Sequence, residues 1–158
     1  MNVHNIPKVC YAVNMRIRRL NHSVYQLQYH LVWGTKYRRK FLKHYVRKTL
    51  IDSLYKTQKR YPDWFFHKIN TGLDHVHILM EIPPKYTVAE VVQKLKSQAS
   101  VDLKKQFKFI RQIYGVENGI WSDGYFVSSV GLNEDQISKY IEKQNNYDLG
   151  FNAEEELS

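Results

Sequence analysis

Cysteine is almost missing from this chain: Cys10 is the only one in 158 residues. That excludes an internal disulfide and any zinc site built from several cysteines, and it fits a reducing, intracellular compartment. Long hydrophobic runs are missing too. No stretch of eighteen uncharged apolar residues occurs, so no membrane-spanning helix is expected. The opening segment MNVHNIPKVCYAVNMRIRRLN has no continuous apolar core ahead of a small-residue cleavage site, so a signal peptide is not expected and the cytoplasm is the expected location. No GxxxxGK(S/T) loop is present to cradle nucleotide phosphates. Acidic side chains are in short supply, with 15 Asp and Glu against 24 Lys and Arg and a net charge of +9. Such an excess in a small chain favours a polyanionic partner, most simply nucleic acid.

What is there is enough for one domain with a proper core, since 43% of the residues are hydrophobic. Residues 1–22 show no steady period and form a basic arm. Tyr25–Trp33 is rich in strand formers and alternates Tyr and Leu against Gln at its start. Residues 43–60 place Val46, Leu50, Leu54 and Tyr55 at helical spacing before Pro62. A second strand over 64–70, a turn at Thr71-Gly72 and a third strand over 75–82 follow, the last ended by Pro83-Pro84. Thr87 with Glu90 forms a capping-box pattern. The helix it starts buries Val88, Val91, Val92, Leu95, Ala99, Leu103 and Phe107. Residues 125–130 read as a short strand, and Asn133 as the cap of a last helix over 134–147. The order β-α-β-β-α-β-α predicts an α+β sandwich of ferredoxin or RNA-recognition-motif type, an antiparallel sheet with helices on one face and a further C-terminal helix. The domain spans 23–147, and residues 148–158, with Glu154-Glu155-Glu156, form an acidic, solvated tail.

The positive charge is clustered. Arg16, Arg18 and Arg19 form one group, and Lys94, Lys96, Lys104, Lys105 and Lys108 read as a solvated helix face. The run from Lys36 to Lys43 is different, because Trp33, Tyr37 and Phe41 flank and interleave it. Cations for phosphates beside rings for bases are what single-strand binders use, which makes Lys36, Arg38, Arg39 and Lys40 candidate DNA contacts.

The strongest local signal is Asp74-His75-Val76-His77 on the third strand. Residues i and i+2 of a strand share a face, so His75 and His77 point one way while Val76, Ile78 and Met80 point toward a core. A lone histidine among seven is more often a surface or satisfied interior residue; two on one face make half of a metal site. Glu81 shares that face two strand steps on, where a rim position is expected. In the last helix, Tyr140 and Gln144 lie four residues apart and share a stripe, with Ile137 and Ile141 supplying the packing. Taken alone, such a tyrosine is usually an amphipathic packing residue.

The segments YHLVWGTKYRRKFL (29–42), DHVHILMEIPPKYTVAEVVQKLKSQAS (74–100), IWSDGYFVSSVG (120–131) and ISKYIEKQ (137–144) resemble the small HUH single-tyrosine transposases of the insertion-sequence 200/605 group. The likeness covers residues 23–147 in several ordered motifs. It implies His75 and His77 as metal ligands, Tyr140 as nucleophile, Gln144 as the polar residue that completes the metal site, and Gly131 as the hinge joining the catalytic helix to the body. It also implies a homodimer with composite active sites and a single-stranded DNA substrate with hairpins. Gly34 after the Trp, the Asp123-Gly124 tract and the long N-terminal arm depart from the family pattern without removing a catalytic position.

The chemistry so implied is attack of a tyrosine hydroxyl on a phosphodiester, leaving a 5′-phosphotyrosine and a free 3′-hydroxyl, with no nucleotide cofactor. A divalent cation relieves charge on the phosphate oxygens and on the leaving group. Two imidazoles and one amide add no negative charge, so weak metal binding without DNA is expected, with Mg²⁺ as the default ion and Mn²⁺ able to substitute. Other readings remain: another HUH nickase, a domesticated transposase acting on repeated hairpins, or a non-catalytic single-strand-binding module. A zinc hydrolase is disfavoured because no Asp or Glu ligand pattern accompanies the histidines.

Overall fold

The structure, a computed structural model, describes residues 18–20, 23–25 and 27–129. Gly131, Tyr140, Gln144 and the expected helix over 134–147 lie outside the described residues, as do most of the N-terminal arm and the acidic tail. A two-stranded ribbon, β1 (Arg18–Leu20) against β2 (Ser23–Tyr25), precedes a four-stranded antiparallel sheet. The sheet contains β3 (Gln28–Gly34), β4 (Phe65–Thr71), β5 (His75–Glu81) and β6 (Phe126–Ser129), in the order β4-β5-β3-β6. This is the expected α+β arrangement, with the histidine strand β5 in the interior of the sheet.

The helices α1 (His44–Arg60) and α2 (Val88–Gln106) cover one face. Their apolar stripes, Val46, Leu50 and Leu54 on α1 and Val91, Leu95, Ala99 and Leu103 on α2, are fully buried. They form one cluster with Leu31 and Trp33 of β3 and Val76, Ile78 and Met80 of β5. Each large side chain so buried contributes about 1.5–3 kcal/mol, which is why the 3.6-residue and two-residue periods of the sequence settle which faces meet. Tyr55, expected on the α1 stripe, is instead largely exposed, with its ring edge-on to Phe66 at 5.3 Å. The capping box forms: the Glu90 amide donates to Thr87 Oγ1 at 3.2 Å and the Thr87 amide donates to Glu90 Oε2 at 3.1 Å.

Three features differ from expectation. The strand expected over 25–33 is divided, because residues 23–25 pair back on β1 and β3 begins only at Gln28. A further helix, α3 (Lys108–Tyr114), follows α2 after the extended Phe107 resets the helical phase; Ile110 and Tyr114 are its buried i, i+4 pair, and Gly115 ends it with a φ of 81°. Lys96 and Lys104 do not simply face solvent. Lys96 Nζ donates to the carbonyls of Ser122 and Gly124 at 2.6 and 3.2 Å, and Lys104 Nζ to those of Val116 and Asn118 at 2.7 Å each, so α2 clamps the loop leading to β6. That loop also extends the sheet, since Thr35 bridges Trp121 and the Lys36 amide donates to Ile120 O at 2.8 Å.

Candidate metal and nucleic-acid site

The face of the sheet turned away from α1 and α2 carries the polar half of each strand. On β5 these residues are His75, His77, Leu79 and Glu81, and the antiparallel register sets Gly34, Val32, His30 and Gln28 of β3 opposite them in that order. His75 and His77 face the same way, as their i, i+2 spacing requires, with ring centroids 4.7 Å apart and planes at 71°. Gly34 has no side chain to cover His75 from the neighbouring strand.

His75 is held on two sides. Its Nδ1 lies 2.7 Å from Asp74 Oδ1, and Asp74 Oδ2 accepts a hydrogen bond from Arg38 Nε at 3.2 Å. Burial of Asp74 raises its pKa, but the hydrogen bond to His75 and the Arg38 charge outweigh that and hold the carboxyl below its ordinary value. Ionised Asp74 can only accept, so the contact puts a proton on His75 Nδ1 and leaves Nε2 as the ring nitrogen open to a ligand. The other side is Gly72: a Cβ there would overlap the imidazole ring itself. The glycine belongs to the turn between β4 and β5, and the Gly72 amide closes that turn on His75 O at 2.9 Å.

Burial pushes His77 down to about 3, with the charges of His75 and His30 adding to the effect. His30 stacks on it at 5.7 Å between centroids and is itself pushed by burial down to about 4. Both are neutral at pH 7, so His77 has a lone pair to offer. A carboxylate behind one histidine and a neutral second histidine on the same face are a donor set that fits a divalent cation. Among the described residues no third His, Cys, Asp or Glu joins them in a ligand cluster. Glu81, expected at the rim, is instead 1% exposed and sits 2.8 Å from His67 Nε2, at the far end of the strand. A bulge in β4 between Phe66 and Lys68 leaves His67 as the extra residue there.

Beside the histidines runs the basic loop. Lys36–Arg38 is a 3-10 turn in which Tyr37 and Arg38 have positive φ, 61° and 52°. Lys36 is half-buried, while Arg38, Arg39 and Lys40 are exposed. Arg38 therefore does more than line a surface, because its Nε is committed to Asp74 and so to the orientation of His75. His30, Gly72, Asp74 and Arg38 complete the surroundings of the pair, and sequence reasoning assigned none of them a role at the histidines. Only Asp74, adjacent in DHVH, and Gly72, three residues before His75, carried any local signal.

The family model described as "Transposase IS200 like" matches residues 23–144, most of the chain. The protein belongs to the IS200-like transposase family. The transposase of the IS200 element of Salmonella typhimurium is 30% identical to it over 80% of this chain and 82% of the relative. The ISDra2 transposase TnpA of Deinococcus radiodurans is also 30% identical, over 77% of this chain and 86% of its own length. A Deinococcus radiodurans crystal structure described as a transposase superposes with a TM-score of 0.67 at 28% identity, covering 81% of this chain and 98% of that one. A REP-associated tyrosine transposase bound to a REP hairpin shares the fold, with a TM-score of 0.55 at 14% identity over 84% of this chain and 74% of that one. Among the described residues of this IS200-like transposase, no helix is long and apolar enough to cross a membrane.

Proposed function

We propose that this IS200-like transposase cuts and rejoins single-stranded DNA at hairpin-bearing element ends, in the cytoplasm, through a tyrosine-linked intermediate. The observation that carries the reading is the His75–His77 pair, with His75 tethered by Asp74 and both rings on the open face of the sheet. His75 and His77, with Gln144, would hold a Mg²⁺ or Mn²⁺ ion, which would supply withdrawal of charge from the phosphate oxygens and ease departure of the 3′-oxygen.

Tyr140 is the nucleophile. Its hydroxyl oxygen forms a bond to phosphorus, the bond from phosphorus to the 3′-oxygen breaks, and the tyrosine proton leaves to solvent as the 3′-oxygen takes one up. The products are a 5′-phosphotyrosine and a 3′-hydroxyl; attack by a second 3′-hydroxyl reverses the step and joins the new strand, so no external energy source is consumed. Asp74 keeps the His75 tautomer constant through the cycle, and the depressed His77 pKa keeps that ring from protonating. Lys36, Arg38, Arg39 and Lys40 attract the strand and position its phosphates. Gly131 supplies backbone freedom at the start of the catalytic helix, and a homodimer allows that helix to serve either its own histidines or the partner's. The hairpin in the REP-associated neighbour supports a structured single strand as substrate.

The test is to incubate end-labelled single-stranded hairpin DNA with the protein and Mn²⁺ or Mg²⁺ and to resolve the mixture on a denaturing gel. A covalent protein–DNA adduct is expected from the wild type and none from Tyr140→Phe or His75→Ala. An adduct persisting in Tyr140→Phe moves the nucleophile elsewhere. A module that only binds DNA yields no adduct with any strand.

A further inference from the structure

Tyr37 is the most exposed large hydrophobic side chain among the described residues, at 75%. Its backbone and that of Arg38 both occupy the left-handed region, which disfavours residues with a Cβ. Two such residues in succession persist only where the surroundings over-determine them. Here they do. The Arg38 amide donates to Thr35 O at 3.0 Å, Thr35 Oγ1 donates to Arg39 O at 2.8 Å, and the Tyr114 hydroxyl donates to Lys36 O at 2.7 Å. The loop is thus fastened at Thr35, Lys36 and Arg39, and what it displays is a ring left in solvent.

The ring does not stand alone. Lys36 Nζ is 5.6 Å and the Arg39 guanidinium 5.9 Å from its centroid. The next residue, Arg38, reaches Asp74 and so adjoins the His75 grip. An exposed ring with two cations over it, next to a site for a phosphate, matches a nucleotide in two parts: the base takes a face of the ring and the cations turn to its phosphates.

We propose that Tyr37 is a stacking platform for one unpaired base of the DNA strand that flanks the cleaved phosphate. The ligand class is a single-stranded nucleotide, read through its π-face and therefore with little sequence preference. This assignment rests on the single-stranded substrate proposed above and adds a specific contact to it. Strain in the Tyr37–Arg38 backbone is the cost of holding the ring outward before DNA arrives, so no ordering of the loop is needed on binding.

The experiment compares a labelled hairpin carrying an unpaired flank with the same hairpin made blunt, by fluorescence anisotropy in EDTA. Tyr37→Ala is expected to weaken binding of the flanked hairpin by about 5- to 150-fold and of the blunt hairpin by less than about 2-fold. Its salt dependence should equal that of the wild type, whereas Lys40→Ala should lower the slope by about one charge. Tyr37→Phe should bind within about 2-fold of wild type, because stacking does not need the hydroxyl. In Tyr37→Trp, the added indole emission should be quenched by the flanked hairpin and not by the blunt one. Wild-type affinity of Tyr37→Ala for the flanked strand, an equal loss on both DNAs, or an unquenched indole each overturns the platform. Binding in EDTA requires neither metal nor Tyr140. A Tyr37 effect without any covalent adduct from the wild type therefore sinks the catalytic reading alone, and normal adducts with no Tyr37 effect sink the platform alone.

Discussion

The two faces of β5 differ in kind. Val76, Ile78 and Met80 are wholly buried in the cluster that includes the aliphatic side chains of α1 and α2. One residue out of phase, His75 and His77 are also largely shielded, yet they are polar, and His75 is held by Asp74, itself braced by Arg38, and lies against Gly72. The first face gains stability by burial. The second accepts some loss of stability to keep two imidazoles side by side. Because strand side chains alternate strictly, one seven-residue segment can do both, and the two roles should separate cleanly under mutation.

The largest break expected is on the apolar face. Ile78→Ala should destabilise the fold by about 2–5 kcal/mol through lost burial and a cavity. Denaturant melts would measure this, while the folded fraction should still take up Mn²⁺ in the presence of DNA as the wild type does. Gly72→Ala should affect both stability and metal uptake. Its methyl must displace the His75 ring or the turn, costing about 1–3 kcal/mol of stability and about 10–100-fold in Mn²⁺ affinity. Paramagnetic resonance of bound Mn²⁺ reads the second effect, and wild-type affinity there would show that the imidazole does not need its place over the glycine.

Asp74→Asn confines the damage to the polar face. It removes the charge that fixes the His75 tautomer, so metal affinity should fall by about 10–100-fold with the fold intact. Arg38→Ala should be milder, because its partner bond is 3.2 Å long and the arginine side chain is 55% exposed; the stability change should stay below about 1 kcal/mol.

Acid provides the most graded perturbation. His77 and His30 have folded pKa values of about 3 and about 4, below the unfolded 6.5. Between those limits the unfolded chain binds more protons, so stability is fully present above pH 6.5 and is lost as pH falls toward 4. The Asp74 contribution disappears only below its unfolded value of 3.8, so it does not enter at pH 5. Melting temperature in metal-free buffer should therefore drop between pH 7 and pH 5, and the drop should shrink in a His30→Gln, His77→Gln double variant. An equal drop in both proteins would place the acid sensitivity elsewhere.

Much of this was legible from local pattern. Thr87 and Glu90 marked the start of α2 because a capping box is completed within four residues. The histidines could be assigned to one face because a strand has a period of two. Lys96 and Lys104 were misread for the converse reason. Spacing on their own helix says nothing of the carbonyls of Ser122, Gly124, Val116 and Asn118 that fold back onto them. Glu81 was placed at a rim because its burial depends on neighbours from other segments, including His67, which a bulge turns toward it. The helix α3 was missed because its seven residues are too few for a stripe to stand out.

By itself, then, the sequence determined the α+β order, the apolar stripes and the common orientation of His75 and His77, since each follows from the repeat of a single element. Only the tertiary structure decided that Arg38 reaches Asp74 across 36 residues, that His30 stacks on His77 from the next strand, and that Gly72 makes room for an imidazole. Those contacts depend on strand register and on how a loop closes, which are set by the summed packing of the whole domain and by no local period.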